Sequence, residues 1–218
     1  MEPFVTLTGV AAPLQRQNID TDAIIPSREM KTVGKTGLSG GLFANWRYAD
    51  VAARTENPDF ILNRAPFRQA TILLAGSNFG CGSSREHAVW ALKEWGVRCI
   101  VAPSFGAIFH GNCVRNGILP VTLPADAVAA LATAAGQATS DDPAPARLTV
   151  DLRQGLLTGP HLGSDPGTYP FTLSPADRDM LLEGLDAIGL TLKRLPAIQS
   201  FEADYRAATP WALPVPTL

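Results

Sequence analysis

The apolar run Ala70-Thr-Ile-Leu-Leu-Ala75, followed at once by Gly76-Ser-Asn-Phe-Gly-Cys-Gly82, constrains this chain more than any other feature. The first six residues read as a buried strand, and three glycines within the next seven positions cannot continue it, so a loop begins at Gly76. Past the loop, Ala88, Ala91, Leu92 and Trp95 fall at the i, i+3, i+4, i+7 spacing of one helix face, which predicts a helix over 83–95. Ser83 with Glu86 three residues on forms a capping box at its start, and Gly96 supplies the stop. Residues 97–102 predict a second short strand ended by Pro103. Ser104 then caps a helix to about Arg115, and Asn116-Gly117 offers a left-handed terminus before a strand over 118–123. Strand, loop, helix, strand, helix, strand is the pattern of a parallel α/β sheet.

The rest of the chain carries weaker signals. An alanine-rich helix is expected over 126–137, a polar connector over 138–146 and a hairpin over 148–157 turning at Gln154-Gly155. Ser174-Pro175 opens a helix to about Gly189 with Met180, Leu181 and Leu185 inward, and a last short helix is expected over 197–206. With 19 glycines and 18 prolines in 218 residues, above the usual combined share of ~12%, many turns and short elements are expected. No 20–50-residue period repeats, which excludes a solenoid. Residues 27–41 include Lys31-Thr-Val-Gly-Lys-Thr-Gly-Leu-Ser-Gly-Gly41, polar and glycine-rich, and read as a mobile loop.

Charge and cysteine usage narrow the function classes. Eighteen basic against 20 acidic residues give a formal charge of −2, with no basic run able to neutralise several phosphates, so nucleic acid is not an expected partner. Met1-Glu2-Pro3 begins without a cationic stretch, and the apolar run over 96–114 is broken by Arg98, Pro103 and His110. Neither a signal peptide nor a membrane span is expected, and the cytoplasm is the expected location. Cys81, Cys99 and Cys113 are an odd set without a C-x-x-C pair, so no metal or cofactor is expected to be held by this chain alone.

Two motif-like stretches fail on inspection. Gly34-Lys35-Thr36 ends like a phosphate loop, but Glu29 stands where the first glycine belongs. Asn18, Asp20, Asp22 and Glu29 match four spacings of a calcium loop, yet Ala23 occupies the glycine position and Pro26 interrupts it. The short polar side chains instead suit local turns.

Gly80-Cys81-Gly82-Ser83-Ser84-Arg85-Glu86-His87 is different. Glycines at 76, 80 and 82 let the backbone approach a ligand, and a helix N-terminus aimed at the same point favours an anion. An arginine in the first helical turn opposes the helix dipole by ~0.3–1 kcal/mol unless something negative offsets it. Either Glu86 supplies that charge, or Arg85 awaits a carboxylate or phosphate that its planar fork can grip with two hydrogen bonds. Cys81 beside a helix N-terminus is open to a low-pKa reading but has no resolving cysteine nearby. His87 serves as a base only if it turns toward the loop, and Cys99 and Cys113 read as core.

Taken together, the segments Asn18-Ile-Asp-Thr-Asp-Ala-Ile-Ile-Pro26, Lys35-Thr-Gly-Leu38, Leu42-Phe43, Trp46-Arg-Tyr48, Asn57-Pro-Asp-Phe60, Gly76 to Ala88, Ser104-Phe-Gly106 and Asn116-Gly-Ile-Leu-Pro-Val121 resemble the bacterial 3-isopropylmalate dehydratase small subunits. Gly-Ser-Ser-Arg-Glu-His is shared across the wider aconitase superfamily, and the 18–48 segment points to the leucine-pathway branch. The resemblance implies an α/β fold: one swivelling β/β/α three-layer domain over 1–218, with a substrate-covering loop at 27–41 and a helical C-terminal part at about 174–206.

It further implies a large-subunit partner that carries a four-iron four-sulfur cluster, and conversion of 2-isopropylmalate to 3-isopropylmalate through isopropylmaleate. Under that resemblance Ser83 is the base. Ser84, Arg85 and the backbone of Gly80, Cys81 and Gly82 bind a substrate carboxylate. Val33, Lys35, Thr36 and Leu38 lie in the loop that faces the substrate side chain. The alternatives are a sister protein of the same kind acting on citraconate, dimethylmalate or homoaconitate, and a non-catalytic module in which Ser83 and Arg85 hold a structural anion.

Overall fold

The computed structural model describes residues 1–30, 34–160 and 167–212. Its frame is a seven-stranded sheet in the order β6-β5-β4-β1-β7-β8-β9. The strands are β1 (Thr6–Leu14), β4 (Ile72–Ala75), β5 (Cys99–Ala102), β6 (Leu119–Thr122), β7 (Arg147–Asp151), β8 (Leu156–Gly159) and β9 (Gly167–Pro170), while β2 (Tyr48–Asp50) and β3 (Thr55–Glu56) form a separate two-stranded ribbon. β6, β5, β4 and β1 run parallel, and β7, β8 and β9 join antiparallel.

The two halves meet along β1, which changes partner midway. Thr6 to Val10 pair antiparallel with β7, and Ala11 to Leu14 pair parallel with β4. Composition follows this division. Every residue of β4 and β5 is buried, as a parallel strand covered on both faces requires, and this explains the unbroken apolar runs in the sequence. β7 and β8 alternate instead, with Leu148, Val150 and Leu157 inward.

Four short or medium helices occupy the first part of the chain: α1 (Thr21–Ile24), α2 (Ala44–Arg47), α3 (His87–Trp95) and α4 (Ala107–Asn116). α5 (Ala125–Ala135), α6 (Pro175–Glu183), α7 (Ala187–Leu192) and α8 (Leu195–Ala208) follow. α3 buries Ala88, Val89, Ala91 and Leu92, and α4 buries Phe109, Cys113 and Val114. Gly96 and Gly117 close these two helices at φ +113° and +79°, the left-handed stops expected from sequence.

The C-terminal part is anchored through the other end of the chain. Phe4 N–H donates to Leu181 O at 2.8 Å, and the Met1 ammonium donates to Gly184 O at 2.6 Å. Met180 and Leu181 are buried, whereas Leu185 is only half-buried. The helix expected to reach Gly189 stops at Gly184, whose φ of +67° ends α6, and α7 starts afresh from the Asp186 cap. Among the described residues, no helix is long and apolar enough to cross a membrane.

β1 itself carries no strand signal, because Gly9 and Pro13 interrupt it. Tertiary packing explains Gly9: a Cβ there would fall 1.9 Å from Thr71 Oγ1, so only glycine lets β1 pass the start of β4.

Candidate functional site

Parallel strands β1, β4 and β5 deliver their carboxyl ends to one edge of the sheet, where ligands of open α/β folds bind. The loops leaving them are stitched together by backbone groups. Asn18 N–H donates to Ser77 O at 2.9 Å, Gly80 N–H to Ile19 O at 2.7 Å and Thr21 N–H to Cys81 O at 3.0 Å. The loop after β5 closes the third side: Asn78 N–H donates to Ser104 Oγ at 2.8 Å and Gly106 N–H to Phe79 O at 2.9 Å. Ser104 therefore braces the β4 loop and does not cap α4, whose N-cap is Gly106.

Two of the three glycines expected to admit a ligand admit protein instead. A Cβ on Gly80 would lie 2.1 Å from Phe109 Cγ, and one on Gly76 would lie 2.3 Å from Arg16 O. Gly82, at φ +92°, meets nothing nearer than 3.5 Å and stays exposed. The N–H of Gly80 is already committed to Ile19, so in this conformation it is not free to donate to a substrate carboxylate, while Cys81 takes part in the stitching only through its carbonyl, which accepts from Thr21.

The expected capping box is also absent. α3 begins at His87 with Glu86 in the N-cap position and no side-chain cap, so Ser83, Ser84 and Arg85 lie in the connecting turn and Arg85 is not in the first helical turn. Its partner is not Glu86. Arg85 Nη1 and Nη2 grip Asp22, the latter at 3.1 Å to Oδ2, with Ser27 Oγ 3.2 Å from Nη1. Arg85 Nε donates to Ser83 Oγ at 3.1 Å. One guanidinium thus touches the serine hydroxyl with one nitrogen and holds a carboxylate with the other two. The side chains are 31% and 53% exposed for Arg85 and Asp22, and a pair that open contributes about 0–1 kcal/mol, so another carboxylate can displace it at small cost.

Ser84 is exposed, and its carbonyl accepts from Asn112 Nδ2 at 3.4 Å. Glu86 faces α4 instead, 3.4 Å from Asn116 Nδ2. The His87 ring lies on Trp90, centroids 4.8 Å apart. Sequence reasoning misses Asp22 and Ser27 as site residues. The only sequence signal is for Asp22, the cluster of short polar residues in Asn18-Ile-Asp-Thr-Asp22, which also serves turns: Asp20 caps α1 through Ala23 N–H at 2.7 Å.

The loop after Ser27 returns to α3. Glu94 accepts Gly37 N–H on Oε1 at 2.6 Å, and Leu38 and Ser39 N–H on Oε2 at 2.6 and 2.7 Å. Burial pushes the Glu94 carboxyl up, but the three N–H donors, with the Ser39 hydroxyl, outweigh it and hold the group below its ordinary value. On the carbonyl side, Arg47 donates to Ser39 O at 2.8 Å and Gly40 O at 3.1 Å. Leu38 is 1% exposed and part of the core, so its side chain is closed to a substrate in this conformation, a correction to its expected role. Lys35 and Thr36 are exposed and line a cleft of ≈ 550 Å3 with Trp90, Lys93, Arg115 and Asn116, Lys35 Nζ sitting 5.3 Å from the Trp90 ring centre. Val33 lies outside the described residues.

Among the described residues, no three His, Cys, Asp or Glu side chains stand together as a metal-binding group. Cys99 and Cys113 are fully buried, and burial pushes both thiols upward, away from the thiolate form that ligates iron. Cys81 is half-buried and has no disulfide partner. These residues do not fit an iron–sulfur cluster.

The family model described as the aconitase C-terminal domain matches residues 1–126, which contain every site residue above. A second model, for the C-terminal domain of the 3-isopropylmalate dehydratase small subunit, matches residues 188–215. The chain is 58% identical over 211 residues to a 3-isopropylmalate dehydratase small subunit from Cupriavidus necator, covering 97% of this chain and 98% of the relative. It is 51% identical to one from Rhodospirillum centenum, covering 98% and 100%. A crystal structure of 3-isopropylmalate dehydratase from Methanocaldococcus jannaschii superposes with a TM-score of 0.58 at 25% identity, covering 90% of this chain and 99% of the other. The chain belongs to the 3-isopropylmalate dehydratase small-subunit family, whose members are parts of a hydro-lyase of leucine biosynthesis and act with a large subunit.

Proposed function

We propose that this chain supplies the base and one carboxylate-binding group to an active site completed by the large subunit, for the interconversion of 2-isopropylmalate and 3-isopropylmalate through isopropylmaleate. The observation that carries this reading is the 3.1 Å contact from Arg85 Nε to Ser83 Oγ. Removing a weakly acidic C–H proton beside a carboxylate needs a strong base, and a serine hydroxyl becomes one only where its alkoxide is stabilised. A guanidinium touching the oxygen provides that stabilisation in place, before the substrate arrives. Arg85 Nη1 and Nη2 are the second half of the reading. They hold Asp22 in the free chain, and a substrate carboxylate takes over this two-pronged contact, with Ser84 beside it.

The hydroxyl that leaves is assigned to a Lewis acid on the large subunit, a four-iron four-sulfur cluster in this reading, since the residues of this chain do not fit one. The substrate is a small hydroxy-dicarboxylate, no nucleic acid or membrane takes part, and the pair works in the cytoplasm. Lys35 and Thr36 are the described loop residues that this reading assigns to the substrate side chain. The test is reconstitution with a cluster-bearing large subunit, followed by isopropylmaleate absorbance. Ser83→Ala should lower kcat by about 10²–10⁴-fold, the range of a lost general base, with complex formation unchanged. Near-wild-type turnover removes Ser83 from the mechanism, and binding of the substrate by the pair without turnover favours the anion-holding module.

A further inference from the structure

Glu94 is the feature of this surface that the chemistry above leaves unused. It sits in the last turn of α3, the helix that starts two residues beyond Arg85, and at ~1.5 Å rise per residue it lies about 10 Å along the helix from His87. Its carboxylate accepts three consecutive backbone N–H groups, those of Gly37, Leu38 and Ser39, at 2.6, 2.6 and 2.7 Å. The carbonyls of Ser39 and Gly40 face the opposite charge. They accept from Arg47, whose guanidinium is buried on the Trp95 and Tyr48 rings at 4.7 Å each. An anion on the N–H side and a cation on the C=O side therefore grip the same short stretch of backbone, and the buried Leu38 side chain keys it into the core.

The leading end of the loop is fixed separately, by Ser27 Oγ at 3.2 Å from Arg85 and 3.3 Å from Asp22. One end of the loop is thus tied to the arginine of the site and the other to the helix that follows it. Gly34, Lys35 and Thr36 lie between these ties and are exposed.

We propose that Glu94 is a positioning residue for substrate side-chain selection: by fixing the trailing root of the loop, it sets where Lys35 and Thr36 stand relative to Ser83 and Arg85. The proposal rests on the functional reading above and adds a residue that touches no reacting atom. A carboxylate is required by its chemistry. Two oxygens can accept three N–H donors, whereas a carboxamide offers one oxygen and turns an NH2 group toward donors it cannot satisfy. The hydrogen bonds of the Glu94 side chain among the described residues all go to this root, so its replacement acts there.

The experiment compares the wild-type chain with Glu94→Gln, each reconstituted with the large subunit. It measures hydration of isopropylmaleate and of citraconate, which carries a methyl in place of the isopropyl group. Amide hydrogen exchange of each free chain is followed in parallel. Glu94→Gln should accelerate exchange at Gly37, Leu38 and Ser39 while β4 stays protected, and should raise KM for isopropylmaleate by about tenfold with kcat within about twofold. Because citraconate has less side chain for the loop to meet, its KM should change less, and discrimination between the two should fall. Faster exchange at 37–39 with both KM values unchanged overturns the proposal, as does unchanged exchange. A fall in kcat common to both substrates with discrimination intact also overturns it. An inactive wild-type pair would instead strike the functional reading itself, and it shows before any variant is assayed.

Discussion

Gly80→Ala tests whether the turn that carries Ser83 is shaped by packing rather than by a ligand. Gly80 has φ +73°, and a Cβ there would sit 2.1 to 2.6 Å from three atoms of the Phe109 ring, which packs edge-on against Phe79 at 5.4 Å. Both rings are buried, so neither has room to turn aside. The left-handed backbone costs a residue with a side chain ~1–2 kcal/mol, and forcing a methyl group into a filled core costs ~1–3 kcal/mol more, giving roughly 2–5 kcal/mol in all. Gly82→Ala is the matched comparison. Its φ of +92° carries a similar backbone penalty, but the nearest atom is 3.5 Å away, so only the first contribution, ~1–2 kcal/mol, applies. Equilibrium urea unfolding of the isolated chain, followed by tryptophan fluorescence, reads both variants, and thermal melts repeat the comparison. At ~2–4 °C per kcal/mol for a chain of this size, the melting temperatures should fall by roughly 4–20 °C and 2–8 °C respectively. Equal destabilisation of the two variants would refute the reasoning, because the clash with Phe109 is the only difference assigned to them.

Arg85→Lys should raise KM for the substrate in the reconstituted pair, since a single ammonium cannot reproduce the fork that spans Asp22 and Ser83; unchanged KM and kcat would contradict the assignment. The loop root should also respond to acid. Glu94 has its carboxyl lowered in the folded chain, so its contribution is present above the ordinary carboxylate pKa and is lost as pH falls through the depressed folded value. Protection factors at Gly37, Leu38 and Ser39, corrected for intrinsic exchange, should therefore stay flat from neutral pH down to the ordinary carboxylate range and drop only below it, ahead of those in β4. A drop that begins near neutrality would point to a different group.

The sequence disclosed the parallel half of the sheet because that half is buried on both faces, leaving runs such as Ile72–Ala75 and Cys99–Ala102 without polar residues. It disclosed helix ends wherever a glycine took a left-handed stop, at Gly96 and Gly117. β1 stayed hidden because its strand character comes from partners on both sides and not from its own residues, two of which, Gly9 and Pro13, argue against a strand. The Ser83–Arg85 turn stood out in the sequence through its glycine-rich loop, but its details did not. Ser83 and Glu86 match a capping box in spacing, yet the chain enters α3 three residues later because the turn is held from outside, by Asp22 at Arg85 and by Asn112 at Ser84. Nothing local links Asp22 to Arg85 or Glu94 to Gly37, pairs separated by 63 and 57 positions, so contacts of this kind emerge only once the chain is folded.

The divided pairing of β1 bears on how the polypeptide is made. Asp151, the neighbour of Thr6, is synthesised 145 residues after it, so the antiparallel flank of this strand waits through that whole stretch with its hydrogen-bonding groups unclaimed. Ala11 finds Ile72 much sooner. The nascent chain can thus assemble the rim that carries Ser83 and Arg85 while one sheet border is still sticky, a window in which truncated or slowly translated products are prone to pair with each other.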